Sequence, residues 1–199
     1  MKKIEKTIVS LAPPCSAQQV YLLGTYNVDG TLFLQSQAFV CYIPGPPEGK
    51  VIGLAASDQM KENILREQAF SLNLCNIDML PIVESAWQGY APKVSGEDAV
   101  GYSRGVKLNI PVLDASPCVE ECKVMQTVQV GDTLIVIAET ACTLVDNELI
   151  LPYSESDDLY DWYMNQDAQK FNPLLYSVKY YTLSECIVKL NKNNWQRVI

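Results

Sequence analysis

The chain has 199 residues, of which 48% are hydrophobic and 19% charged, and its formal net charge is −8. This length and composition fit one globular domain, and so acidic a surface repels phosphate backbones and anionic lipids, so we expect neither a nucleic-acid nor a membrane partner. The sequence contains no histidine, which excludes a Ser-His-Asp triad, a Cys-His dyad, a His-ligated haem and His-rich zinc sites.

Alternation of apolar and polar residues, with many β-branched side chains, predicts strands in the first half of the chain. Val20–Val28 and Thr31–Cys41 form a predicted hairpin. Its turn is Asp29-Gly30, because glycine tolerates the positive φ of a tight turn. The apolar run Lys50–Ala56 predicts a central strand, and Phe70–Leu74 predicts another.

Two helices are predicted around the strand Phe70–Leu74. The first begins at Ser57 or Asp58, either of which can cap the free N–H groups of its first turn, and runs to about Gln68. Its apolar face is formed by Met60, Ile64 and Leu65. The second runs from Asp78 to about Gln88, with apolar residues at helical spacing: Leu80, Val83 and Trp87.

The second half of the chain begins with an irregular stretch, residues 89–115, which we expect to be a surface excursion of the same domain rather than a linker between domains. Val119–Val130 and Thr133–Val145 then predict a long hairpin. A polar helical insertion follows at about residues 155–170, and Asn172–Leu183 returns to an extended pattern. Short strands with tight turns and a few helices favour one domain over residues 1–199, a mainly β, antiparallel barrel with accessory helices.

Seven cysteines are present, an odd number, and no secretory signal is recognised, so we expect reduced thiols and a cytoplasmic location. Cys118 and Cys122 face the same side of a predicted strand but lie ~13 Å apart, which rules out a shared metal or a disulfide. We therefore expect no metal site, and we expect all seven thiols to act as small buried hydrophobes.

Polar residues inside the predicted strands each allow two interpretations. Ser36, flanked by Gln35 and Gln37, marks either an exposed hairpin face or a contact with a polar heterocycle such as a flavin. Asn73, within an apolar strand, must be paired if it is buried, and structural pairing and ligand contact are equally compatible with the sequence.

The segment from Ser57 to Asn63 opens a helix directly after a buried strand. It is either an ordinary capped helix or a phosphate seat, since helix N-terminal N–H groups favour an anion and Lys61 adds positive charge. Asp58 competes for the same N–H groups. The glycine-rich fingerprints of Rossmann and P-loop nucleotide sites are absent from the sequence.

Six segments, in order, resemble the flavin-reductase-like, FMN-binding split-barrel family, including its flavoredoxin branch. The resemblance covers about residues 20–187, and Pro117–Val124 is its most telling part, being similar to the family's C-P-V-x-x-E-C-x-V. The other segments are Gln35–Phe39, Val51–Ser57 with Glu62–Ile64, Phe70–Leu74, Val94–Asp98, and Phe171–Tyr176 with Tyr180-Tyr181. At the positions where the family commonly has a basic residue and a threonine in its phosphate turn, this chain has Asp58 and Met60.

By this resemblance the fold is a Greek-key split β-barrel, usually a homodimer, with FMN near the interface. The strand around Ser36 would line the isoalloxazine, and the turn at Ser57–Lys61 would hold the phosphate. The residues that the resemblance and the patterns together assign to the cofactor are Gln35, Ser36, Gln37, Ala38, Phe39, Ser57, Gln59, Lys61, Asn63 and Asn73.

The function implied is that of an FMN-dependent oxidoreductase, in which NAD(P)H or another donor reduces the flavin and the flavin reduces an acceptor. No catalytic residue is assigned, because hydride transfer to the flavin ring needs no general acid or base and the protein supplies position and electrostatics. Two alternatives remain open: a flavin-binding electron carrier or sensor without turnover, and a barrel that has lost its ligand.

Overall fold

A computed structural model describes residues 18–55, 58–87, 89–92, 100–147, 149, 173–177, 180–183, 187–190 and 195–198. The strands are β1 (Gln18–Gln19), β2 (Tyr21–Tyr26), β3 (Leu32–Gln37), β4 (Val40–Ile43), β5 (Gly49–Leu54), β6 (Ala69–Leu74), β7 (Tyr102–Arg104), β8 (Pro111–Leu113), β9 (Cys118–Val130), β10 (Thr133–Val145), β11 (Leu174–Ser177), β12 (Tyr180–Leu183), β13 (Ile187–Leu190) and β14 (Trp195–Val198). The helices are α1 (Asp58–Glu67) and α2 (Leu80–Ser85), with a 3-10 turn at Ile77–Met79. None of the helices within these ranges has the length and apolar character needed to span a bilayer.

The main sheet is curled into a barrel. It has seven strands in the order β3-β2-β6-β9-β10-β5-β4, and every neighbouring pair is antiparallel. β3 and β4 are its two edges, yet only Ala38 and Phe39 separate them along the chain. Such a link spans at most about 11 Å, so the end of β3 and the start of β4 must lie close together. The predicted antiparallel split barrel is confirmed, and the junction of β3 and β4 at Ala38 and Phe39 is its seam.

The side chain of Gln37 closes this seam. Its Nε2 donates to the carbonyl oxygen of Gly53 on β5 at 3.0 Å. Its Oε1 accepts the N–H groups of Ala38 and Phe39, both at 2.9 Å. The N–H of Gly53 in turn donates to the carbonyl of Phe39 at 3.2 Å. One buried amide therefore turns the chain between the two edges and ties the turn to β5.

The barrel interior is filled by apolar side chains from the strands and from α1. Leu23, Ile52 and Phe70 belong to this cluster, and α1 adds Met60 and Ile64. The predicted apolar face of this helix is wrong at one position, because Leu65 is exposed. Its place on the buried face is taken by the polar Asn63, which the next subsection describes.

A second apolar cluster covers the outer face of β2 and β3 beneath α2, and includes Leu22, Leu34 and Val83. Alternation along β2 and β3 makes this possible, since successive side chains of a strand point to opposite faces. The helix predicted to reach about Gln88 ends earlier, at Ser85, and Trp87 beyond it is 55% exposed.

Other predicted boundaries also shift. The single strand expected over Thr31–Cys41 is broken at the seam into β3 and β4. The stretch 89–115, expected to be irregular, contains the paired strands β7 and β8. The long hairpin of β9 and β10 is confirmed, and so are its turn and that of the first hairpin: Gly131 and Gly30 both have positive φ. The insertion expected at 155–170 lies outside the described residues.

A buried carboxylate fixes the loop between β7 and β8. Glu121 on β9 is fully buried and accepts backbone N–H groups from Val106, Lys107 and Leu108 at 2.6 to 2.9 Å. Hydrogen bonds from several N–H groups stabilise an ionised carboxylate that has lost its water. The loop is thereby held against the outer face of the sheet.

The seam gives a direct test. In Gln37→Glu the donor to Gly53 is lost and a carboxylate faces a carbonyl oxygen in a buried place. We expect the free energy of unfolding to fall by ~2 kcal/mol, measured by urea denaturation. The matched control is Gln129→Glu, which removes a side-chain bond to the carbonyl of Gly131 at an exposed turn. That change should cost less than ~0.5 kcal/mol, and equal losses in the two variants would contradict this account of the seam.

Candidate functional site

Strand alternation separates the predicted cofactor residues of β3 onto two faces. Gln35 and Gln37 point toward the barrel side and are only 6% and 8% exposed, so the interpretation of an exposed hairpin face is wrong. Ser36 points to the other face, toward the cluster beneath α2. A single planar ligand therefore meets either Ser36 or the two glutamines, but not all three side chains.

The backbone N–H of Ser36 is hydrogen-bonded, but within the described residues its side-chain hydroxyl is not. Its N–H donates to the carbonyl of Ala86 at 2.9 Å, next to the exposed Trp87. Its Oγ is buried, and nothing in the described part of the chain hydrogen-bonds to it. A buried hydroxyl without a partner is unfavourable, so this atom is the strongest local indication of a polar ligand on the outer face.

Asn73 lies in the same row of the sheet as Ser36, since both are opposite Leu22, one on each side of β2. It is fully buried. Its Nδ2 donates to the carbonyl of Leu22 at 2.9 Å and to Oγ of Ser71 at 2.8 Å, and its Oδ1 accepts the N–H of Leu113 at 2.9 Å. Asn73 is therefore structurally paired, and it holds β8 on the outer face of β6.

Asn63 sits at the centre of a network between α1 and β2. Its Nδ2 donates to Oγ1 of Thr25 at 3.1 Å and to Oδ1 of Asn27 at 3.0 Å. Its Oδ1 accepts from Gln59 and from Arg66, both at 3.0 Å. Both donors and the acceptor are occupied by protein groups, so this residue anchors the helix to the end of β2.

At the start of α1, the acidic side chain expected to compete for the helix N–H groups is exposed to solvent. The side chain of Asp58 is 95% exposed and approaches only Lys61, at 3.9 Å. The expected competition of Asp58 for the first N–H groups of the helix is therefore not seen among the described residues. Lys61 Nζ donates to the carbonyl of Asp132 at the tip of the β9–β10 hairpin, at 2.9 Å. Ser57 lies outside the described residues.

The structure brings the two predicted parts of the site together through β5. Phe39 and Gln37 both bond to Gly53, and β5 ends one residue later, at Leu54, just before α1 begins at Asp58. Phe39 is partly exposed at this seam, while the N–H groups of Ala38 and Phe39 are taken by Gln37. The seam is thus linked through β5 to the start of α1, whereas the side chain of Ser36 lies on the outer face beneath α2.

Sequence reasoning missed a buried ion pair on the concave face. Lys50 Nζ lies 2.8 Å from Oε2 of Glu120, with side chains only 9% and 16% exposed. Thr140 Oγ1 donates to the same oxygen at 3.0 Å, and the ammonium sits 4.5 Å above the ring of Tyr42. The available signal was strand parity: Lys50 stands two residues before the apolar Ile52, and Glu120 two residues before Cys122, which places each charge on an apolar face.

A cleft of about 280 Å³ opens beside this ion pair. It is lined by Gln19, Tyr21, Leu72, Leu74, Cys118, Glu120 and Pro173. Burial, reinforced by the nearby Glu120 carboxylate, raises the pKa of the Tyr21 phenol well above its usual value. The same two causes raise the pKa of the Cys118 thiol to about 11. Both groups are therefore neutral at physiological pH.

The cysteines are only partly as expected. Cys75 and Cys122 are buried, and burial raises the pKa of both thiols. Cys118 and Cys142 are half-buried, and Cys41 is exposed, so the expectation of burial for every cysteine is wrong at Cys41. Within the described ranges no cluster of cysteine and acidic side chains could hold a metal ion.

Comparison with known proteins identifies relatives of this barrel. The family model for the flavin reductase like domain matches residues 15–181. Among solved structures, the chain is similar to flavoredoxin from Methanosarcina acetivorans, with 18% identity over 90% of this chain and 91% of that one, and a TM-score of 0.71. It is also similar to a split barrel domain protein from Shewanella frigidimarina NCIMB 400, with 14% identity, 88% and 86% coverage, and a TM-score of 0.70.

A third similar structure is the FMN-binding protein from Thermus thermophilus, with 12% identity over 92% of this chain and 95% of that one, and a TM-score of 0.68. No curated protein matches the chain by sequence. At these identities the three structures show the fold alone, and the family follows from the model match.

A stability measurement distinguishes two roles of Asn63: stabilising the fold and contacting a ligand. Asn63→Ala leaves Thr25 and Asn27 without their buried partner, so we expect unfolding free energy to drop by roughly 2–3 kcal/mol in protein without added flavin. Gln59→Ala, which removes one partly exposed bond to the same residue, is the control and should cost less than ~0.5 kcal/mol. Unchanged stability of flavin-free Asn63→Ala would contradict the supporting role.

Proposed function

The chain belongs to the flavin reductase like family, and from that membership we propose that it is an FMN-binding oxidoreductase. The observation that carries this proposal is the buried hydroxyl of Ser36, which has no partner in the described part of the chain and belongs to a residue whose N–H bonds to Ala86, just before the exposed Trp87. A flavin ring offers polar edges to such a hydroxyl and a large apolar face to aromatic side chains.

The proposed site divides the predicted residues by role. Ser36 and the seam at Ala38 and Phe39 would contact the isoalloxazine, whereas Ser57 and Lys61 would face the phosphate. Support for the phosphate end comes from the start of α1, where the side chain of Asp58 is exposed to solvent and a helix N-terminus favours an anion.

The remaining predicted residues would act by holding the site in place. Gln37 closes the seam, and Asn63 and Asn73 anchor α1 and β8, each with its hydrogen bonds made inside the protein. Gln59 orients Asn63, and Gln35 is a buried polar neighbour on the barrel side. In this arrangement the ring binds to a surface that is held in place by Gln37, Asn63 and Asn73, whose hydrogen bonds are made within the protein.

Bound FMN would supply the electron transfer, and the chain's residues would position it and exclude water from one face. We propose NAD(P)H as electron donor. Steady-state oxidation of NADH or NADPH by the FMN-loaded protein tests this step. FMN that is retained but never reduced by either nucleotide would indicate the alternative, an electron carrier or sensor.

We further propose that the protein is a cytoplasmic homodimer. The outer half of the β9–β10 hairpin exposes Met125, Val128 and Val130, an apolar surface suited to a subunit contact. Sedimentation velocity at micromolar concentration checks this, and a monomer over the whole accessible range would contradict it.

Lys61 provides the sharpest test of the phosphate seat. In Lys61→Met the positive charge is lost, so FMN affinity should fall on the order of tenfold, while riboflavin, which lacks the phosphate, should bind as before. Affinities are measured by titrating flavin fluorescence. Lys123→Met, at an exposed lysine paired with Glu139 at 3.4 Å, is the control and should leave both affinities unchanged. Equal losses for FMN and riboflavin would place Lys61 away from the phosphate.

A further inference from the structure

The cleft beside Glu120 is separate from the region proposed for the flavin. Its residues come from β1, β2, β6 and β9, together with Pro173, and none of them belongs to the predicted cofactor set. Ser36 faces the opposite side of the sheet. The cleft is large enough for a single ring with small substituents, since it measures about 280 Å³.

Two oxygen atoms of the cleft can accept a hydrogen bond from a ligand. Oε2 of Glu120 is occupied by Lys50 and Thr140, and Oε1 receives no hydrogen bond within the described part of the chain. The hydroxyl of Tyr21 donates to Oε1 of Gln19 at 2.7 Å, so the lone pairs of the phenol oxygen can accept a hydrogen bond from a ligand. A ligand that brings an N–H or O–H group would satisfy both oxygens.

The charges of the cleft balance each other. The Glu120 carboxylate already has the ammonium of Lys50 at 2.8 Å, and both side chains are largely removed from water. A second cation would be repelled by Lys50, and an anion would be repelled by Glu120, each in a region of low dielectric. Tyr21 and Cys118 add no charge, because burial keeps both protonated. The balance selects against charged ligands.

The remaining walls are apolar. Leu72, Leu74 and Pro173 line the cleft together with the Cys118 thiol. Walls of this kind hold a hydrocarbon ring, and a small number of polar groups then fixes its orientation.

From this combination we propose that the cleft binds a small neutral ring compound carrying a hydroxyl group, with the hydroxyl donating to Glu120 Oε1 or to the Tyr21 oxygen. The site does not depend on the flavin, because it requires none of the residues assigned to FMN.

The experiment is a titration of the full-length protein with phenol, in which binding is monitored by saturation-transfer NMR. It is carried out once with saturating FMN and once without added flavin. We expect saturable binding with a dissociation constant on the order of 1 mM, typical of so small a ligand. Toluene, of similar shape but without a donor, should bind at least about fivefold more weakly. Benzoate and benzylammonium should show no saturable binding.

Two variants place the binding in the cleft. Tyr21→Phe removes one acceptor and should weaken phenol binding about threefold or more, whereas Tyr26→Phe, the same change at the other end of β2, should not. Leu74→Phe fills the cleft and should abolish binding. Thermal unfolding of each variant establishes that it is folded.

Several outcomes would overturn the proposal. Toluene binding as tightly as phenol would show an apolar cavity without a polar role. Phenol binding that survives Leu74→Phe in the folded protein would place the ligand elsewhere, for instance on FMN, and preference for benzoate or benzylammonium would refute the charge argument. Loss of FMN binding with phenol binding intact would count against the proposed function and leave the cleft standing.

Discussion

The fold depends on one buried side-chain amide, that of Gln37. Its two backbone contacts turn the chain within two residues from one edge of the sheet to the other, and its third contact ties that turn to β5. Without these bonds the turn would leave partly buried backbone N–H groups and a carbonyl without partners, which is unfavourable. The curled sheet, its enclosed core and the exposed seam all follow from this closure.

Alternation along one strand explains how the barrel keeps two different chemistries apart. Glu120 and Glu121 are adjacent in β9, so one carboxylate faces the concave side and the other the outer side. Glu120 is neutralised by Lys50 beside the cleft, whereas Glu121 is held by backbone N–H groups of the β7–β8 loop. Each buried charge is compensated on its own face, and the side chain of Ser36 and the cleft lie on opposite sides of the sheet.

The sequence predicted those features that local chemistry determines. The turns at Gly30 and Gly131 need positive φ, β9 and β10 form the predicted long hairpin, and α1 begins at Asp58, one of its two predicted first residues. Short strands with tight turns predicted an antiparallel barrel, and the family resemblance added its split form, since no local pattern reveals that the end of β3 meets the start of β4.

The hydrogen-bond partners of the buried polar residues could not be predicted from the sequence, because several of them lie far away along the chain. Gln37, Asn63 and Asn73 were each read as possible ligand contacts, because a polar residue in an apolar pattern reveals burial but not its partner. In the structure all three are paired within the protein, with groups that lie 16 to 51 residues away as well as nearby. The Lys50–Glu120 pair was not predicted for the same reason. Leu65 was assigned to the buried face of α1, but Asn63 holds that buried position because its hydrogen-bond partners lie on and just after β2.

The central claim is that the outer surface around Ser36 and the seam binds FMN. The most direct measurement is the visible absorption spectrum of the purified protein after incubation with FMN and gel filtration to remove free flavin. The account predicts a yellow protein that retains stoichiometric FMN, and Ser36→Ala should retain less. A colourless wild-type protein would contradict it and would leave the chain as a member of this family whose barrel does not hold flavin.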